Sequence, residues 1–173
     1  NQIAFVSYPA GMITPITRDT NNYSDLSASV NGQVLATVLS EGRWNLQVMS
    51  LGLSGPEAQS VEPVGMNTNF SWTHDGRIIH DKDNGLHWVN PELKANGPFK
   101  TQPNAIDGDP WECSDGQTLT FLHGEATGKA SQNVWRADVT GGNLRQLSQG
   151  ARDNYPSCAP DSRSVFFLDG ENK

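Results

Sequence analysis

The chain has 173 residues, enough for a sizeable core, with 35% hydrophobic residues, 18% charged residues and a net charge of −7. That charge opposes binding to the phosphates of nucleic acid or to anionic lipid, and no apolar run approaches the ~18 residues that a bilayer span needs. The remainder is rich in Gly, Pro, Ser, Thr, Asn and Gln, which favours many short strands joined by turns over long helices.

In chain order, Asn1 to Ala10 lack a basic stretch followed by an apolar one, so no secretory leader is expected there. Asn1 to Ser7 reads as a strand, and Ile13 to Arg18 as a more polar one. Tyr23 to Ala28 then leads into the turn Ser29-Val30-Asn31-Gly32-Gln33, followed by Val34 to Val38 and a further strand, Asn45 to Met49. The same succession returns as Phe70-Ser71-Trp72, the turn Thr73-His74-Asp75-Gly76-Arg77, Ile78-Ile79-His80 and Leu86 to Val89; a fourth strand between Pro91 and Gln102 is poorly marked. It returns again as Pro110-Trp111-Glu112, the turn Cys113-Ser114-Asp115-Gly116-Gln117, Leu119 to Leu122, Asn133 to Ala137 and the polar Leu144 to Ser148. Tyr155-Pro156-Ser157, the turn Ala159-Pro160-Asp161-Ser162-Arg163 and Val165 to Leu168 make a last, shorter instance.

The Asn or Asp of these turns recurs at spacings of 44, 40 and 46 residues, a period shared by propeller blades and some helical repeats. The flanking runs decide between the two. They are short, β-branched or aromatic, and bounded by turn formers, with no 3.6-residue periodicity. Asn-Gly and Asp-Gly supply the positive φ of a tight hairpin. The predicted fold is all-β, a β-propeller of four-stranded antiparallel blades, with a polar outer strand that discourages edge pairing. The expected division is a half blade over 1–21, blades over about 22–68, 69–106 and 107–153, and the complementary half over 154–173. Three closures follow from such ends. The halves complete a four-bladed ring within one chain, the chain is excised from a propeller of six to eight blades, or two copies pair into a larger homo-oligomeric ring.

Two segments carry a family likeness. Ala137-Asp138-Val139-Thr140-Gly141-Gly142-Asn143-Leu144-Arg145-Gln146-Leu147-Ser148 resembles the D-x-x-G-G-x-x-x-x-L-T joint of TolB-like (WD40-like, PD40) propeller repeats. Asn154-Tyr155-Pro156-Ser157-Cys158-Ala159-Pro160-Asp161-Ser162 resembles their P-x-W-S-P-D-G opening, with Ser162 replacing the Gly. A degraded form of the same grammar covers Asn22 to Leu53 and Asn69 to Val89. The resemblance implies a periplasmic or extracytoplasmic protein. It also implies an accessory or sensor propeller, of the kind carried by peptidases and serine/threonine kinases, with the chemistry in another domain.

Catalytic and metal motifs are weak. His74, His80, His87 and His123 lack the spacing that puts two imidazoles on one metal and read as hydrogen-bonded structural residues. Gly52-Leu53-Ser54-Gly55 is one residue short of a nucleophile elbow. Asp81-Lys82-Asp83-Asn84-Gly85 and Asp107-Gly108-Asp109 lack the rest of a calcium loop and read as turns. No cofactor, metal or catalytic residue is expected. Trp44, Trp72, Trp88, Trp111 and Trp135 recur at comparable strand positions or flank them, and Trp88 and Trp135, in third strands, read as packing residues. Trp72 and Trp111 in first strands either pack between blades or anchor a ligand at the channel mouth, and with Tyr23 and Tyr155 in the corresponding strands they are the candidate ligand contacts. Cys113 and Cys158 stand one residue out of step relative to their turns, so alternation faces them oppositely and no disulfide is expected. The expected function is a non-catalytic scaffold for protein or peptide. The alternative is a glycosidase or lyase with carboxylates at the channel mouth.

Overall fold

The computed structural model describes residues 2–40, 44–50, 58–65, 68–99, 101–102, 105–125, 132–150 and 152–170. The described residues are all strand and turn, and they fall into two compact units, Asn1–Met66 and Asn67–Lys173. Gly52 to Gly55 lies outside the described residues.

In the first unit, β1 (Ala4–Val6) and β2 (Ile13–Pro15) pair antiparallel. β3 (Asn22–Ala28), β4 (Val34–Ser40), β5 (Trp44–Ser50) and β6 (Ala58–Val64) form a four-stranded antiparallel meander in chain order. The turn between β3 and β4 works as its residues dictate. Asn31 Oδ1 accepts from the Ser29 hydroxyl and from Gln33 N–H, while Gly32 takes the left-handed φ of 67°. Ile3, Tyr23, Leu35, Leu39 and Met49 form the core, with Ile16 packed against it.

The second unit holds two four-stranded sheets and one two-stranded sheet. The first is β7 (Phe70–Trp72), β8 (Ile78–Lys82), β9 (Gly85–Asn90) and β10 (Ala95–Phe99). The second is β11 (Ala105–Glu112), β12 (Thr118–Glu125), β13 (Gln132–Asp138) and β14 (Arg145–Gln146). β15 (Asp153–Cys158) pairs with β16 (Val165–Asp169). The weakly marked fourth strand is therefore present as β10, paired to β9 from Ala95 to Phe99. Its Pro98 is tolerated because, among the described residues, β10 is the edge strand of its sheet.

The sheets of this unit stack face to face. β11 packs on β7, β8 and β9, and β15 packs on β11, β12 and β13. The seam between the first two sheets is filled by Ile79, Leu86, Phe99, Leu119, Phe121 and Ala137, with Trp135, Val139 and Leu144 against them. Four-stranded antiparallel meanders stacked this way, first strand beside first strand, are propeller blades.

The stacking also corrects one expectation. Cys113 and Cys158 form a disulfide, with Cα atoms 5.2 Å apart. Alternation predicts opposite faces, and that holds within each sheet. But the two cysteines sit on successive sheets, where the forward face of one meets the rear face of the next. Being one residue out of step is what brings the sulfurs together. The preceding seam is built alike. Glu112, the counterpart of Cys158, faces back to the earlier sheet, where Oε2 accepts from His74 N–H and lies 2.7 Å from His74 Nδ1.

Candidate functional site

The first strands β3, β11 and β15 each bulge six residues before the turn Asn or Asp. The register shifts between Ser24 and Leu26, between Gly108 and Trp111, and between Asn154 and Ser157. At the bulge Asp25, Asp109 and Tyr155 take φ of 53°, 48° and 54°, a region that side chains other than glycine adopt at a cost. Asn69 holds the same offset ahead of β7.

In the second unit these positions converge. Asn69 Nδ2 donates to Asp109 Oδ1, and Tyr155 N–H donates to Asp109 Oδ2 at 3.3 Å. Asn69 N–H also donates to Asp81 Oδ1 at 2.5 Å, and Asp81 N–H returns a bond to Asn69 O. Three successive sheets thus contribute to one polar chain, Asp81–Asn69–Asp109–Tyr155. Burial raises the Asp81 carboxyl to a pKa of about 6, and the charge of Asp109 adds to the effect. Burial likewise raises Asp109.

A raised carboxyl pKa favours the fold below the unfolded value and is lost as pH climbs through the folded one. Asp81 therefore costs stability between its ordinary 3.8 and about 6, and at all higher pH. We expect Asp81→Asn, which keeps an acceptor for Asn69, to be more stable than the parent by roughly 1–2 kcal/mol at pH 7, a discounted value for a half-buried group. The difference should vanish near pH 4. Urea denaturation at the two pH values measures it, and equal curves at pH 7 would contradict the assignment.

Of the four candidate contacts, Trp72, Trp111 and Tyr155 lie in the second unit and Tyr23 in the first. Trp111 on β11 is 45% exposed and Tyr155 on the adjoining β15 is 66% exposed. Trp72 on β7 is half-buried. Tyr23 is a core residue of the first unit, only 7% exposed, and its hydroxyl donates to Asp19 Oδ2 at 2.7 Å, which helps hold that carboxyl below its usual range.

Two buried carboxylates escape a motif-based reading. Asp107 and Asp153 both stand eight residues before the turn Asp, and this shared offset is the signal that finds them. Asp107 lies 2.6 Å from His123 Nδ1 and accepts from Thr101 Oγ1. Asp153 accepts from Ser148 Oγ and from Asn133 Nδ2. Ser148 Oγ in turn accepts from Val134 N–H at 2.8 Å. Asp107 ties the start of β11 to β12 and to Thr101, and Asp153 ties the start of β15 to β13 and Ser148 through Oδ2, while its buried Oδ1 has no hydrogen-bond partner among the described residues. Asp81 to Gly85 acts as a hairpin, with Asp83 and Asn84 both at positive φ between β8 and β9, whereas Asp107-Gly108-Asp109, expected as a turn, lies within β11 at its bulge. Among the described residues no group of three His, Cys, Asp or Glu is placed to hold a metal.

No protein-family model and no curated protein matches the sequence. Solved structures do match. TolB from Acinetobacter baumannii superposes with a TM-score of 0.74 at 12% identity, over 99% of this chain and 44% of that one. The fold is that of a TolB-like β-propeller. An oligogalacturonate lyase in complex with manganese gives a TM-score of 0.69 at 16% identity, over 99% of this chain and 54% of that one. A chain of the nidogen/laminin complex gives 0.75 at 10% identity, over 97% of this chain and 66% of that one. The chain spans about half the length of the TolB and lyase chains that it matches. At such identities the likeness is one of fold.

Proposed function

We propose that the chain is a non-catalytic propeller scaffold that binds a protein or peptide segment on the face carried by β11 and β15, and that the segment presents a basic side chain. The observation that carries this is that two exposed aromatic residues, Trp111 and Tyr155, stand on the strands β11 and β15 that the Asp109 carboxylate links, with Asp81 on β8 joined to it through Asn69. Large amphipathic rings supply contact area at low entropic cost, and an aromatic face also attracts a cation. The net charge of −7 favours the approach of a basic partner. A chain of the nidogen/laminin complex shares the fold, which is consistent with a protein partner. An extracytoplasmic location belongs to the same proposal, because a cystine persists in oxidising compartments.

An enzymatic reading draws on Asp81, whose pKa of about 6 suits a general acid, and on the likeness to a lyase. Its weakness is that Asp81 and Asp109 both accept hydrogen bonds within the protein and stand without an assigned nucleophile.

Fluorescence anisotropy with labelled twelve-residue Gly/Ser/Leu peptides decides between partner chemistries. The peptides differ only in one central residue, Lys, Gln or Glu. We expect the Lys peptide to bind at least tenfold more tightly than the Glu peptide, with Trp111→Ala and Asp109→Asn each losing most of that preference. Equal affinity for all three would end the basic-segment reading.

A further inference from the structure

The Cys113–Cys158 bond lies on the two strands that carry the proposed site. Cys113 directly follows β11, which holds Asp109 and Trp111, and Cys158 is the last residue of β15, which holds Tyr155. The two strands are joined at both ends, by the disulfide near the turns and by the Tyr155 N–H bond to Asp109 at the bulge. In the neighbouring seam the same place is filled without covalency, by His74 and Glu112, and β7 still packs on β11. A covalent link is therefore not a requirement of stacking one sheet on the next.

The cystine is also unequally shielded. Cys113 is 1% exposed, whereas Cys158 is half-buried. Without the bond, the β15–β16 hairpin would keep Asp153 on Ser148 and Asn133, and Ser162 Oγ on Asp115 N–H at 3.0 Å. Those contacts hold the hairpin at its start and at its turn. Between them, the 3.3 Å bond from Tyr155 would be left to fix β15 against β11.

We propose that the Cys113–Cys158 disulfide is a redox latch on the peptide-binding face: oxidised, it holds β15 against β11 and so sets Tyr155 beside Asp109 and Trp111; reduced, it frees the β15–β16 hairpin and the face is lost. This rests on the binding reading above. The step is thiol–disulfide exchange with an external dithiol. One thiolate of the dithiol attacks Sγ of the more accessible Cys158, the S–S bond breaks, and Cys113 leaves as a thiolate that takes up a proton. The second thiol then attacks the dithiol sulfur of the mixed disulfide. Cys158 leaves and is protonated in its turn, with Thr120 Oγ1 3.8 Å from its sulfur as hydrogen-bond partner. Two electrons pass from the dithiol, which becomes a disulfide, to the cystine, which becomes two thiols.

Hydrogen exchange on the whole chain, oxidised and after dithiothreitol, tests the latch. The Cys113→Ala/Cys158→Ala variant serves as a bond-free form that dithiothreitol cannot alter. Reduction and the double substitution should each speed amide exchange across 153–169 at least tenfold more than across β8, β9 and β12, and weaken the Lys peptide at least tenfold. Unchanged exchange over 153–169 overturns the latch. So does equal acceleration through β8, β9 and β12, which would make the bond a staple of the whole unit. If the Lys peptide binds neither state, the binding reading fails, while the exchange data still decide whether the hairpin is latched.

Discussion

Phe121→Ala is expected to destabilise the second unit by about 4 kcal/mol, the range for emptying a buried aromatic site. Phe121 is fully buried and lies at the centre of the seam between the two four-stranded sheets, among Ile79, Leu86, Phe99, Leu119 and Ala137. Its ring meets His123 edge-on at 6.3 Å, so the substitution also loosens the histidine that pairs with Asp107. The neighbours cannot close over the void, because they are anchored on strands whose spacing the ladders fix. Phe121→Leu, which keeps most of the volume, should cost about 1.5 kcal/mol. Guanidinium denaturation gives both values. A loss below 1 kcal/mol for the alanine variant would mean that the two sheets do not share this core.

The double variant Cys113→Ala/Cys158→Ala should lose a comparable amount under oxidising conditions. Its cross-link closes a loop with a sequence separation of 45 residues. Restricting the unfolded chain over such a loop contributes roughly 4 kcal/mol in the chain-entropy account. The loss should fall on the second unit, which contains both cysteines, and it should disappear when the parent is compared in dithiothreitol. Equal stability of variant and parent without reductant, or free thiols in the parent by mass spectrometry after alkylation, would show that the bond does not form.

How much of this was legible in the chain depends on the range of the interaction. The turns at Asn31, Asp75, Asp115 and Asp161 were readable because an Asx side chain bonds its own neighbours, as Asp115 Oδ1 does with Gln117 and Thr118 N–H. The strands beside them were readable from short apolar runs, and β8 and β12 are buried as those runs imply. β10 was hard to see, since an edge strand carrying Gly97 and Pro98 has neither alternation nor β propensity to show. The site was less legible still. Trp111 and Tyr155 could be nominated as aromatic residues in first strands. But the bulges place Asp109 and Tyr155 at positive φ without a glycine to announce it, and Asn69 and Asp81 gain their roles from contacts over a dozen residues or more.

The sequence by itself determined the repeating antiparallel hairpins, their period and the side of each sheet on which a residue lies, because a two-residue alternation and a self-bonded turn act within a few residues. Which residues meet across the seams was decided only by the tertiary structure: Cys113 with Cys158, Glu112 with His74, and Asn69 with Asp109. Local periodicity assigns a face, whereas the stacking of whole sheets selects the opposite face that it touches.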